Sequence, residues 1–181
     1  GTLTLHDDNA SSTGAMNFQG NLVANTLTTF GRGYNVSLTG GANTITTDTT
    51  FANTGTTTFG DGGDVTEFSG GLSTVANSGT TINGTVQTAA TQIDLAATTL
   101  GGNSTVASWT AGNGTGAAIN IASVTGGGNN LNLESRNGAT TVAGAATGLG
   151  TLTLHDDNAN STGSMNFQGN LTANTLSTFA Q

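Results

Sequence analysis

Apolar residues along this chain fall in short groups with one polar residue between them. Leu3 and Leu5 flank Thr4, Met16 and Phe18 flank Asn17, and Val36 and Leu38 flank Ser37. The same spacing returns at Ile93/Leu95, Ile119/Ile121 and Leu131/Leu133. A period of two puts each pair on one side of an extended strand and the intervening residue on the other. Lone apolar residues such as Ile45, Phe51, Phe59, Val86, Val106 and Val142 mark further strands, and Gly, Asn, Asp or Ser punctuates nearly every gap. Nothing recurs at helical spacing for long. The pattern predicts many short strands, each with two or three inward side chains, joined by tight turns.

A β-sandwich and a β-solenoid both fit that pattern. Strands with so few inward residues bury little alone and need stacked neighbours, which favours the solenoid. The outward positions are mostly Thr, Asn and Ser, which form ladders of like residues when coils stack. Proline is absent, as suits a chain whose backbone N–H groups enter ladders. The expected fold is therefore all-β, a parallel β-helix (β-solenoid) with the alternating pairs pointing into one elongated core. Asn137-Gly138, between alternating strands, is a hairpin signature and equally suits a solenoid corner.

The chain also repeats itself. Residues 1–30 match residues 150–179 at 26 of 30 positions without a gap, at a constant offset of 149. The differences are Ser11/Asn160, Ala15/Ser164, Val23/Thr172 and Thr28/Ser177. A solenoid grows by adding coils, so a block can be duplicated without disturbing its neighbours. The reading is a tandem array: residues 1–149 are one full repeat unit, and residues 150–181 begin the next. The two passages are then expected to share one coil shape, related by a screw along the fibre. Position 23 belongs at the surface, because a buried hydroxyl at Thr172 would need a partner. Coils of about 20–25 residues rising about 4.8 Å each place equivalent residues roughly 30–36 Å apart along the axis.

Composition sharpens the picture at a few points. Charged residues make up only 7%, and the ten acids face two cations, Arg32 and Arg136, for a formal charge of −8. Without lysine, the several phosphate contacts that nucleic-acid affinity needs are missing, so nucleic acid is excluded as a partner. No apolar run approaches the roughly 20 residues of a transmembrane helix. No signal-peptide pattern is present, so an exported chain would carry its signal outside this segment. No Cys is present, which removes disulfides, thiolate metal sites and a cysteine nucleophile.

Three stretches invite chemistry. His6-Asp7-Asp8-Asn9 recurs as His155-Asp156-Asp157-Asn158. Dense oxygen donors suit Ca²⁺, which makes Asp7, Asp8, Asp156 and Asp157 the metal candidates. The spacing is not that of an EF-hand, and the competing reading is a solvated turn, so no cofactor is expected. His6 lies one residue past the Leu3/Leu5 alternation and should face outward. In "GDGGDVTEF", Asp61, Asp64 and Glu67 are carboxylates of the kind that cleave glycosides. They lack nearby cations, and Trp109 and Tyr34 are single aromatics rather than a sugar-stacking platform. The expectation is a Gly/Asp turn with Glu67 on the exposed face. Thr-x-Thr pairs such as Thr2/Thr4 and Thr56/Thr58 are too irregularly spaced for an ice-binding array.

The stretches "NTITTDTTFANTGTTTFGDGG", "GTTINGTVQTAATQIDLAATTLGG" and "NLNLESRNGATTVAG" resemble the β-strand repeats of bacterial filamentous-haemagglutinin-like adhesins and autotransporter passengers. The resemblance spans the chain and rests on short Thr/Asn/Gly strands with aliphatic alternation. It implies a right-handed parallel β-helix, exported and displayed at the bacterial cell surface as a stalk or filament. The expected function is thus a non-catalytic structural segment of an extracellular filament. Its partners would be further copies of itself, end to end or in tandem, and surface glycans. The alternative is a carbohydrate-binding or carbohydrate-cleaving β-helix.

Overall fold

The alternating pairs become strands, and every pairing among the described residues is parallel. A computed structural model describes residues 1–112, 114–155 and 158–179. Their eighteen strands, numbered in chain order, wind into a β-solenoid of about eight turns with no helix.

The registers sort the strands onto three sides of a prism. The first face holds β1 (Thr2–Thr4), β4 (Thr26–Thr28), β7 (Thr49–Thr50), β9 (Leu72–Ser73), the start of β11 (Ile93–Leu100), the start of β13 (Ile119–Thr125), β15 (Thr140–Val142) and β17 (Met165–Phe167). The second holds β2 (Gly14–Phe18), β5 (Tyr34–Leu38), the starts of β8 (Thr56–Phe68) and β10 (Gly79–Gln87), the ends of β11 and β13, and the starts of β16 (Ala146–Leu154) and β18 (Leu171–Thr178). The third holds β3 (Val23–Ala24), β6 (Ala42–Ile45), the ends of β8 and β10, β12 (Ser104–Ala107), β14 (Leu131–Glu134) and the ends of β16 and β18.

Six strands, β8, β10, β11, β13, β16 and β18, turn a corner without breaking, and in β8, β10 and β16 glycine makes the bend. Gly84, at φ +132°, sits where β10 passes from the second face to the third; a Cβ there would lie 2.5 Å from the Asp64 carbonyl oxygen. Only a residue without a side chain allows both the conformation and that approach. Asn137-Gly138 is likewise a corner, between β14 and β15, and not a hairpin. The left-handed residue is Arg136, at φ +50°. Gly138 is required by close stacking, since its Cβ would meet the Ala117 carbonyl oxygen at 2.0 Å.

One core runs the length of the prism. Leu5, Val36, Leu38, Ile93, Leu95, Ile119, Ile121, Leu131 and Leu133 are buried in it, with Leu3, Met16 and Phe18 packed half-buried against it. In one coil, Phe51, Phe59 and Phe68, one from each side of the prism, meet edge to face with centroids 5.4–5.9 Å apart. That arrangement suits the ring quadrupoles. The interior also holds polar residues. Thr57, Thr80 and Thr98 stack in register and are fully buried. Thr57 Oγ1 donates to Asn77 Oδ1 at 2.8 Å, and Thr74 and Thr80 share a hydroxyl bond of 2.8 Å. Such bonds remove the penalty of a buried hydroxyl.

The two matching passages keep the same internal register. Thr2 and Leu3 pair with Thr26 and Leu27, as Thr151 and Leu152 pair with Thr175 and Leu176. They start on different faces, however. Leu3 belongs to the first face, whereas Leu152 pairs with Leu131 on the third. From β1 to β15 the chain makes six turns, and the second passage opens two faces later, so 149 residues span six and two-thirds turns. At about 4.8 Å per turn this is roughly 32 Å. Val23 is 79% exposed, and Thr172 is exposed as well, its Oγ1 accepting the Gly148 N–H at 3.0 Å.

Candidate functional site

The longest excursion from the first coil is the corner between β1 and β2. It begins at His6, whose φ of +59° turns the chain out of the strand. The loop then closes on itself. Asp7 Oδ1 accepts the Asn9 N–H at 3.1 Å and the Ser12 hydroxyl at 2.6 Å; Asn9 Oδ1 accepts the Ser11 N–H at 2.9 Å; and Ser12 N–H donates to the Asn9 carbonyl at 3.0 Å. The Ser12 and Asn9 donors hold the Asp7 carboxyl below its ordinary value of 3.8, because they favour the charged form. The second copy repeats the turn: His155 has φ +66°, Asn158 Oδ1 accepts the Asn160 N–H at 2.9 Å, and Ser161 N–H donates to the Asn158 carbonyl at 2.8 Å.

The corner is gripped from the coil above. The Tyr34 ring lies against His6 with centroids 4.5 Å apart, and its hydroxyl donates to the Leu5 carbonyl at 3.2 Å while accepting the Phe30 N–H at 2.8 Å. Arg32 Nη2 pairs with Asp8 Oδ1 at 2.7 Å, and its Nε donates to the Asp8 carbonyl at 3.0 Å. His6 is therefore half-buried against a ring rather than simply outward. The calcium candidates Asp7 and Asp8 each have a protein partner, a serine hydroxyl and an arginine respectively; Asp156 and Asp157 lie outside the described residues. A shallow depression of about 530 Å³ opens over the first loop, lined by His6, Asp7, Asn9 and Ser11–Thr13. Among the described residues, no three His, Cys, Asp or Glu side chains come together as a metal set.

The second acidic stretch forms the corner within β8. Asp61 N–H donates to Asp64 Oδ2 at 2.7 Å. Glu67 is half-buried on the outward side of the third face, where it accepts Ser69 Oγ at 2.7 Å and Gln87 Nε2 at 3.2 Å. Asp94 takes the same part on the first face, accepting from Gln92 and from Asn120 Nδ2 at 2.8 Å. These acids act as acceptors in corners and cross-coil ladders, which is what a stacked surface needs from them.

The two aromatics that a sugar site would use are engaged elsewhere. Tyr34 is 0% exposed. Trp109 lies under Arg136, whose guanidinium carbon stands 3.6 Å from the ring centroid, a cation–π contact. Both cations of the chain thus serve corners, one on an acid and one on a ring. Sequence spacing could not reveal these pairs, since partners one coil apart are separated by a variable number of residues. The one available signal was their scarcity: two arginines in a chain of ten acids. No described helix is long and apolar enough to cross a membrane. The chain matches no family model, no curated protein and no solved structure.

Proposed function

We propose that this chain is a non-catalytic structural segment of an extracellular bacterial filament or adhesin stalk, built from tandem β-solenoid units of 149 residues. The observation that carries the reading is the shared register of the two matching passages. The same sequence takes the same internal pairing at two heights of one continuous stack. A block that fits wherever it is inserted is the property a lengthening stalk requires. The chemistry of the surface agrees with it. The acids serve as acceptors within corners and ladders, Tyr34 is buried, and Trp109 is capped by Arg136. The extracellular placement rests on the resemblance of the Thr/Asn/Gly strands to exported adhesin repeats. An antibody against the protein should label fibres on intact bacteria that produce it. Labelling that requires permeabilised cells contradicts the placement.

A further inference from the structure

We propose that Asn137-Gly138 is a latent covalent modification site. The stacked corner seals it, it converts to aspartate and isoaspartate when the coils part, and the isoaspartyl form prevents the corner from closing again.

The sequence supplies the reactants. Glycine after asparagine leaves the following amide nitrogen unhindered and its backbone free to turn. The Gly138 nitrogen attacks Asn137 Cγ and loses its proton to solvent. The side-chain nitrogen takes up a proton and leaves as ammonia, and a succinimide ring remains. Water then opens the ring. Breaking the bond to Cγ gives aspartate. Breaking the bond to the main-chain carbonyl carbon gives isoaspartate, whose main chain runs through Cβ and is longer by that carbon. Water enters and ammonia leaves, so no oxidant or other reactant is needed.

The corner presents this pair to water yet holds both reacting groups. Asn137 is exposed. Its Oδ1 accepts the Gly116 N–H from a neighbouring coil at 2.7 Å, which ties the side-chain amide to that coil. The Gly138 N–H donates to the Ser135 carbonyl at 2.8 Å, which engages the proton that must leave. The Gly138 peptide is also wedged from two sides. A Cβ on Gly138 would strike the Ala117 carbonyl oxygen, and a Cβ on Gly163 would strike the Gly138 carbonyl oxygen. Gly163 N–H fastens that second coil by donating to the Arg136 carbonyl at 2.7 Å. Ring closure therefore requires the coils to separate locally. The other Asn-Gly pair wholly within the described residues, Asn83-Gly84, lies inside β10 rather than between strands.

The same contacts make the change irreversible. The strands on either side of the corner are fixed in register, Glu134 with Ala107 and Thr140 with both Ile119 and Met165. Ala139 accepts the Ile119 N–H at 2.9 Å, and Thr140 N–H donates to the Ser164 carbonyl at 2.8 Å. A longer main chain between those anchors has no room where Gly138 already touches the coils on both sides. Aspartate, by contrast, adds no length and keeps an oxygen for the Gly116 N–H.

The full chain is aged in mildly alkaline buffer, folded or unfolded in guanidinium, then digested at acid pH and read by mass spectrometry. Asn137 should convert about tenfold or more slowly in the folded chain. Gly163→Ala, which pries the corner from above, should speed the conversion in the folded chain. Equal rates in folded and unfolded wild-type chains overturn the sealing, and that comparison decides even where the variant does not fold. A folded Gly163→Ala chain with the wild-type rate overturns it as well. Chains aged in guanidinium are then refolded, and amide exchange is measured over residues 131–142. Isoaspartyl chains should lack the protection that an Asn137→Asp chain regains. Equal protection in the two overturns the irreversible opening.

Discussion

Phe51 and Phe59 come from two faces of one coil and meet edge-on with ring centroids 5.6 Å apart. Phe68 closes the triangle from the third face, 5.9 Å from Phe51 and 5.4 Å from Phe59. The cross-section of the prism is therefore filled by side chains that reach one another across it. Phe59→Ala should cost about 3–5 kcal/mol and Ile121→Ala about 2–5 kcal/mol, because each leaves a cavity in a shared core. Val23→Thr, which copies the second passage at an exposed site, should stay within about 0.5 kcal/mol. Denaturant unfolding followed by circular dichroism checks all three; a negligible loss for Phe59→Ala would contradict the single core.

The parts of this fold that were legible in the sequence are those set by period two. Ile93/Leu95, Ile119/Ile121 and Leu131/Leu133 are buried as their spacing requires. The three-sided section was not legible, because the corners fall at no fixed interval. Thr80 pairs with a residue 18 positions on and Ser104 with one 27 positions on. Nor were the buried threonines, since Thr57 reads as a surface hydroxyl until Asn77, from the next coil, is seen to accept its proton. At the candidate corner, the polar run from His6 to Asn9 was plain. Its grip by Arg32 and Tyr34 depends on the coil length and could not be read from spacing.

Gly138 is the sharpest test of coil stacking at a corner. Its backbone faces the Ala117 carbonyl so closely that a Cβ would sit 2.0 Å from the oxygen. Gly138→Ala should destabilise the protein by about 1–3 kcal/mol or more, as overpacking does. Gly128→Ala is not a fair control, since its φ of +89° is itself unfavourable for alanine; Gly20→Ala, with open space around the added carbon, is. Equal melting temperatures for Gly138→Ala and Gly20→Ala would contradict the stacking.

The first corner should report on pH through Asp7. Its carboxyl is held below 3.8 by the Ser12 hydroxyl and the Asn9 amide. A depressed carboxylate stabilises the folded loop above its unfolded value and loses that contribution as pH falls through the lowered folded value. Ser12→Ala should move the Asp7 midpoint up toward 3.8, read from the carboxyl carbon resonance. An unmoved midpoint would show that the serine does not hold the charge.

The acids of the β8 corner should prove dispensable. Combined Asp61→Asn, Asp64→Asn and Glu67→Gln keeps acceptor oxygens in place and should leave the melting temperature nearly unchanged. Neither this variant nor the native protein should release reducing sugars from a broad glycan panel. Release by the native protein that the triple variant loses would overturn the non-catalytic reading.

The relation between successive units tests the tandem solenoid most directly. Several 149-residue units joined in frame and imaged by electron cryomicroscopy should form one continuous fibre with a rise of about 32 Å per unit, from coils of about 4.8 Å. Each unit should turn by two-thirds of a revolution, apart from the twist the stacked sheets accumulate. The His6–Asn9 corner should then return to the same face every third unit. A rise far outside 30–36 Å, or units that all present that corner on one face, would contradict the tandem solenoid.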